Sequence, residues 1–445
     1  MIVPRTRLLA LFSLFCIPLA VLATFMHSSL WLSAALIGLI TLTVLTDAFM
    51  APRLLEGITV KMPEVVRLSK GREGDIQGRI LSQQLTRLRI GFDFPLELYP
   101  QKDTIELTIQ GNDKTLPFSF TCTPARRGSF FLKLCYLEGY SFLKLWAIRQ
   151  STEIYTNIRV YPNILPEQKK LAALFLNRSA FGIHAQRQIG KGREFEKLRE
   201  YIPGDSYEDI HWKATARRGH PITKVYQLER TQEVYVVLDA SRLSSKAVQQ
   251  SNATGFVTTI FEYFVTSALI VGLVAERQGD LFGLITFDKQ ILNFVRARNG
   301  KSHFRTCRDS LYTVEASNNT PDFEELAAFI SLRLRRRALI ILLTNIDDPL
   351  IAEEFVKTMD LIRGKHLILV NMVKPSGIKP FFSDPNVSSI DDLYDHLGHH
   401  IQWAKLLELK KVLQARGVTF SLIEKENLSV ELVNQYISIK KRQLL

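Results

Sequence analysis

The sequence predicts a membrane-anchored α/β protein in three structural parts: a two-helix transmembrane hairpin, a β-sandwich-like domain, and a doubly wound α/β domain. Three observations carry this prediction. Residues 8–46 contain no Asp, Glu, Lys or Arg. Residues 51–165 hold short β-rich runs separated by turn residues. From residue 233 onward, short wholly apolar runs alternate with helical patterns.

The membrane part occupies residues 1–50. A helix needs about 20 residues to cross a ~30 Å hydrocarbon core, so the uncharged stretch divides into two spans, about 8–26 and 30–46, with His27-Ser28-Ser29 as the turn. Pro18 is a tolerable kink in a membrane bundle. A cleaved signal peptide is the rival, with Arg5 and Arg7 ahead of the apolar run and Ala20–Ala23 as a loose small-residue site. The second apolar run counts against it. Arg5 and Arg7 precede the first span, Arg53 follows the second, and the turn carries no Lys or Arg. The positive-inside rule then places both termini and all soluble parts in the cytoplasm.

Residues 51–165 read as an antiparallel sandwich. Ile58–Leu68, Ile76–Ser82, Thr86–Asp93, Thr104–Gln110, Leu116–Cys122, Phe130–Leu137 and Glu153–Tyr161 are the candidate strands, punctuated by Lys70-Gly71, Gly111-Asn112-Asp113 and Arg127-Gly128. The run 123–128 reads as a solvated turn with Gly128 at a positive-φ position, with a docking loop as the alternative.

Residues 166–232 form a charged connector with a dense polar-aromatic motif. Phe195, Leu198 and Ile202 are spaced as one helical face, ended by Pro203-Gly204-Asp205. Arg199, Glu200, Asp205, Lys213, Arg217 and Arg218 crowd around Tyr201 and Trp212, a mixture suited to an Arg–carboxylate network or a basic docking face. Trp212, between Ile210 and Ala214, is expected to be buried. Asp205, His211 and Lys213 are the residue types of acid–base catalysis. No nucleophile elbow or phosphate loop accompanies them, so no catalytic residue is assigned.

Residues 233–445 read as alternating strands and helices on a mainly parallel sheet covered on both faces. The expected strands are Val234–Leu238, Leu281–Phe287, an antiparallel edge at Ile291–Arg296, Ala338–Leu343, His366–Val373 and Thr419–Ile423. The expected helices are Thr254–Arg277, His303–Thr313, Phe323–Arg335, Leu350–Ile362, Ile401–Ala415 and Ser429–Arg442. The first of these helices is apolar enough to span a membrane, but a strand follows after three residues, which suits a helix buried on a sheet. Ligands of such sheets collect at the carboxyl ends of the strands. The residues there are oxygen-rich: Asp239, Ser241, Thr320, Thr344 and Asn345, donors that suit a hard ion such as Mg²⁺.

Composition narrows the function. The 445 residues are 46% apolar and 23% charged, which excludes wholesale disorder, and four Cys cannot staple a secreted scaffold. The net charge is +13, with +5 in residues 51–165 and another +5 in residues 166–232. That excess favours anionic inner-membrane lipid or an acidic protein surface. No nucleic-acid reader module is present, so no nucleic acid is expected as partner.

With these residues in view, the chain resembles the domain-of-unknown-function-58 family, bacterial membrane proteins with a von Willebrand factor A-like domain that are often encoded beside a MoxR-type AAA+ ATPase. The run Arg193-Glu194-Phe195, Leu198-Arg199-Glu200-Tyr201, Gly204-Asp205 and Ile210-His211-Trp212-Lys213-Ala214-Thr215-Ala216-Arg217 carries the resemblance, with Arg126-Arg127-Gly128 and Val160-Tyr161-Pro162. The resemblance implies a von Willebrand A pattern, Asp-x-Ser-x-Ser on one loop, Thr on a second and Asp on a third. Asp239, Ser241 and Thr320 fit it. Leu243 replaces the second Ser, with Ser244 one place late, and Asn345 replaces the Asp, with Asp347 two places late. A site so depleted requires no cofactor and binds Mg²⁺ weakly at most. The resemblance also implies a membrane-anchored adaptor in the bacterial inner membrane, partnering a MoxR-type ATPase and other envelope-assembly proteins. The alternative is a metal-assisted hydrolase using Asp205, His211, Lys213 and Asp239.

Overall fold

The computed structural model describes residues 1–25, 30–51, 55–81, 86–109, 115–177, 189–227, 232–248, 258–346, 348–375, 377–378 and 390–442. They form two compact units, Met1–Asn163 and Ile164–Gln250 with Val257–Leu445.

The first unit opens with strand β1 (Ile2–Pro4), then helix α1 (Thr6–Leu11), a π-helical turn at Phe12–Cys16, helix α2 (Ile17–Phe25) and helix α3 (Leu30–Met50). The wide turn ends two residues before Pro18, whose ring cannot sit against an α-helical carbonyl four residues back. Among the described residues, Trp31–Met50 is the one helix long and apolar enough to cross a membrane, and Thr6–Val21 is a shorter apolar stretch. The expected turn at His27-Ser28-Ser29 lies outside the described residues. α3 runs past its expected end at Thr46 because Asp47 is buried and accepts a hydrogen bond from the Leu143 N–H at 3.2 Å.

The rest of this unit is strands: β2 (Thr59–Lys61), β3 (Val65–Ser69), β4 (Gly74–Leu81), β5 (Thr86–Phe92), β6 (Leu98–Pro100), β7 (Thr104–Ile109), β8 (Thr115–Pro124), β9 (Gly128–Tyr140) and β10 (Trp146–Tyr161). One sheet runs β1-β10-β9-β5-β7, with β3 also on β10, and the other runs β2-β4-β8-β6. Alternate residues of both sheets, such as Ile76, Phe120 and Cys122 from one and Ile90, Cys135 and Ile158 from the other, share one core. Gly128 has φ 143°, as the turn requires, but the preceding Arg127 is only 1% exposed rather than solvated.

The second unit begins with helix α4 (Leu165–Asn177), then an antiparallel ribbon of β11 (Ile189–Glu200) and β12 (Ile222–Gln227), with helix α5 (Trp212–Arg218) between the two strands. The expected helical face at Phe195, Leu198 and Ile202 is not formed. Pairing of Leu198 with Lys224 and Glu200 with Ile222 satisfies the backbone as strand instead.

The sheet of this unit contains β13 (Glu233–Asp239), β16 (Leu281–Phe287), β17 (Ile291–Arg298), β18 (Leu339–Leu343), β19 (Leu367–Val373) and β20 (Thr419–Ile423); the short strands β14 (Ala247–Val248) and β15 (Thr258–Thr259) pair apart from it. Its order is β17-β16-β13-β18-β19-β20, parallel except for the β17 edge. Helices α6 (Ile260–Arg277), α7 (Lys301–Leu311) and α11 (Leu428–Arg442) pack with Val234, Val236 and Leu238. Helices α8 (Phe323–Arg333), α9 (Pro349–Ile362) and α10 (Ile390–Ala415) pack with Tyr235 and Val237. The apolar α6 is thus a core helix, as its following strand suggests. Gly283 leaves the room that the Tyr235 ring occupies: a Cβ there would lie 2.3 Å from it. Buried Asp280 ties α11 to the turn before β16, accepting from the Tyr436 hydroxyl and from Lys440 Nζ at 2.6 Å.

Candidate functional site

Three strand ends of the second unit bring oxygen atoms together. β13 ends at Asp239, which is 0% exposed. Its Oδ1 accepts from the Ser241 N–H at 2.9 Å and its Oδ2 from the Thr344 hydroxyl, beyond β18, at 2.6 Å. Burial pushes the Asp239 carboxyl above its ordinary pKa, against those hydrogen bonds, and the Asp288 charge adds to the rise. Ser241 and Ser244 are buried on the same loop, and Leu243 is a core residue packed on the α8–α10 side of the sheet. That explains why a side chain at position 243 offers no oxygen to the site.

The second loop stands beside the first. The Ser317 N–H donates to Ala240 O at 2.7 Å and the Arg242 N–H to Asn319 O at 2.9 Å. The second loop is held by Asp288, which follows β16 and accepts from Ser317 Oγ at 3.0 Å and Asn319 Nδ2 at 2.8 Å. Burial alone would raise its carboxyl, but the hydrogen bonds from Asn319, Gln290 and Ser317 hold it below the ordinary range. Thr320 follows this loop and is exposed. Asp347 lies outside the described residues.

Two buried oxygens of this region, Ser244 Oγ and Asn345 Oδ1, have no hydrogen-bond partner among the described residues. Hydroxyl, amide and carboxylate oxygens are donors for a hard cation. Yet both oxygens of Asp239 are already engaged, and no cluster of three or more His, Cys, Asp or Glu exists among the described residues. The donor set fits a weak cation site. Asp288, Ser317 and Asn319 were not among the residues expected from sequence; the available signal was one Asp directly after an apolar strand.

The motif residues form a second feature. Asp205 receives Arg199 Nη2 at 2.6 Å and the Ile202 N–H at 3.1 Å, and these contacts, the Ile202 N–H foremost, hold its carboxyl below the ordinary range. Gly204 supplies the positive φ of 110° in that turn. His211 caps α5, its Nδ1 accepting from the Ala214 N–H at 3.0 Å, and Gly219 closes the helix with φ 73°. The Tyr201 and Tyr207 rings stack 6.0 Å apart. Trp212, expected to be buried, is 70% exposed. It is the first residue of the seven-residue helix α5. Ile202, Tyr207, Lys213 and Arg217 are exposed too. Arg193, Glu194 and Phe195 belong to β11, where Phe195 pairs with Tyr226.

Comparison with known proteins places these features. Curated relatives include the uncharacterised protein Rv1480 of Mycobacterium tuberculosis H37Rv and the uncharacterised protein Mb1516 of Mycobacterium bovis, each 22% identical over 196 residues, 43% of this chain. The match spans 58% of the length of those relatives. Similar solved structures include BatB from Bacteroides thetaiotaomicron, at 16% identity and TM-score 0.28, covering 47% of this chain and 99% of that one. An aerotolerance-related membrane protein from Bacteroides fragilis NCTC 9343 is 14% identical, with TM-score 0.26 over 46% of this chain and 98% of that one. The SpRpn10 VWA domain is 13% identical, with TM-score 0.26 over 46% and 95%. The family model described as "Protein of unknown function DUF58" matches residues 197–379, the segment that holds the motif ribbon from Lys197 onward and all three oxygen-bearing loops.

Proposed function

We propose that the protein is a membrane-anchored adaptor of the bacterial cytoplasmic membrane. In this proposal α1–α2 and α3 form a transmembrane hairpin with both termini cytoplasmic. The second unit acts as a doubly wound von Willebrand A-like domain. The motif ribbon docks a MoxR-type AAA+ ATPase during assembly or maturation of other envelope proteins. The observation that carries it is the exposure of Trp212 together with that of Tyr207, Ile202, Lys213 and Arg217 in the same motif. Exposed Trp flanked by cations is the residue type that dominates protein interfaces.

The hydrolase alternative has less support. Asp205 is held by Arg199 and Ile202, His211 Nδ1 caps α5, and Asp239 is sealed from solvent with both oxygens engaged. No cofactor is required, and Mg²⁺ binds weakly at most, because a cation at Asp239 must displace the Ser241 N–H or the Thr344 hydroxyl from its oxygens.

The test is co-purification of the tagged full chain from solubilised membranes. The unsubstituted chain should retain an AAA+ ATPase, and Trp212→Ala should lose most of it while melting within about 1 kcal/mol of the parent. Undiminished retention by the variant would remove the ribbon as docking site, and a chain that retains no ATPase would end the adaptor proposal.

A further inference from the structure

The turn between β9 and β10 has an unusual composition. A water-facing reverse turn selects Gly, Pro, Asn, Asp or Ser. Here the sequence is Ser141-Phe142-Leu143-Lys144-Leu145-Trp146, with Phe142 93% exposed and Leu143 exposed beside it. The turn is well fixed. Buried Ser141 accepts from the Lys144 N–H at 2.9 Å on its carbonyl and from the Trp146 N–H at 3.0 Å on its hydroxyl. Lys144 is the one non-glycine with positive φ among the described residues, at 58°. Gly or Asn would adopt that conformation with less strain, so holding Lys there favours a role for its ammonium group.

The turn is tied to the apolar helices. Trp146 Nε1 donates to Val44 O at 3.1 Å and the Leu143 N–H to Asp47 Oδ1 at 3.2 Å, both on α3. The Arg5 N–H, just before α1, donates to Leu145 O at 3.0 Å, and the Arg5 guanidinium lies 4.1 Å from the Tyr140 ring centroid. Val44 is six residues before the Met50 end of α3, which at helical rise is about 9 Å. The turn therefore lies beside the last two turns of α3 rather than beyond its end.

From this geometry we infer that residues 141–146 are an interfacial anchor, seating Phe142 and Leu143 at the headgroup–acyl boundary of the bilayer that α3 spans. Lys144 and Arg5 then reach lipid phosphate, the snorkelling arrangement of long cations at a membrane surface. The inference rests on the membrane-span proposal for α3. Continuity with that helix points to lipid as the occupant, because the apolar side chains sit at the depth where α3 leaves the hydrocarbon.

The test uses the full chain in phosphatidylcholine–phosphatidylglycerol vesicles carrying nitroxide quenchers on the acyl chains. Single variants Phe142→Cys, Leu39→Cys and Tyr155→Cys are labelled with an environment-sensitive fluorophore. The four native cysteines are buried, so the parent chain is the labelling blank. Tyr155 is exposed nine residues along β10 from Trp146, roughly 30 Å away. Leu39 is exposed on α3. Support requires that a shallow quencher remove most of the emission at position 142, a deep quencher do so at position 39, and neither affect position 155. Quenching at 39 without 142 overturns the anchor and leaves the span intact. Loss of quenching at both 39 and 142 overturns the span and the anchor with it. Equal quenching at 142 and 155 also overturns the anchor, because the effect is then not local to the turn.

Discussion

Asp239 is a buried carboxylate, and its raised pKa is a statement about stability. The folded chain holds the Asp239 proton more tightly than the unfolded chain, whose Asp titrates near ~3.9. Stability is therefore lost as pH rises from that unfolded value through the folded pKa, and it recovers as pH falls back toward the unfolded value. Asp239→Asn keeps the shape and can still accept the Ser241 N–H. It is expected to stabilise the chain at pH 7 in chelator by on the order of 1–2 kcal/mol, seen as a higher melting temperature. Excess Mg²⁺ should stabilise the parent slightly and the variant not at all. Melting curves of the detergent-solubilised full chain check both. A lower melting temperature for Asp239→Asn would make the charge itself part of the fold. Cysteine behaves differently: Cys122, Cys135 and Cys307 are packed as small hydrophobes, and burial raises their thiols to about 11, 12 and 12.

At the level of elements, the strands of residues 233–445 were legible because a strand covered on both faces must be apolar along its whole length. β13, β16, β18, β19 and β20 fall where the runs lie, and the antiparallel edge β17 follows its hairpin. Less was legible where a partner decides the structure. β11 has spacing that also suits a helix, and only its pairing with β12, more than twenty residues later, selects strand. β1 is three residues long and carries no periodicity, yet pairs with Trp146–Ile148 on β10. Trp212 was misplaced because apolar neighbours in sequence do not create a cover in space. Asp239 and Ser241 were readable as an oxygen-rich strand end; Asp288 was not, since its role depends on Ser317 and Asn319 folding back onto it.

His366, at the start of β19, tests the same level. It is buried, neither ring nitrogen has a partner among the described residues, and burial together with Lys365 lowers its pKa to about 4. Because the folded value lies below the unfolded ~6.5, the neutral ring contributes stability above pH ~6.5. That contribution is lost as pH falls from ~6.5 toward 4. The loss should be on the order of 2–3 kcal/mol, and His366→Leu should flatten that part of the profile. Melting at pH 7, 5.5 and 4.5 measures it; parallel profiles for parent and variant would mean that the ring finds a partner when protonated.

For the whole molecule, the decisive property is the side of the membrane on which the soluble parts stand. Arg5, just before α1, and Asp47, near the end of α3, are both tied to the 141–146 turn. The residue before α1 and the last turns of α3 thus meet at the same turn, as the proposed hairpin demands. Arg5 and Arg7 sit at that side, whereas residues 27–29 between the helices carry no Lys or Arg. Residues 51–165 add a net +5, complementary to the anionic cytoplasmic leaflet. Reporters fused after residue 50 and at residue 445 are therefore both expected to score as cytoplasmic: fluorescent as a GFP fusion and inactive as an alkaline phosphatase fusion. Placing several Lys at 27–29 should compete with Arg5 and Arg7 and produce mixed scores, because orientation responds to the balance of cations near the span ends. A periplasmic score at residue 445 would separate the motif ribbon from any cytoplasmic ATPase, and the adaptor proposal would fall even if Trp212 proved to be a docking residue.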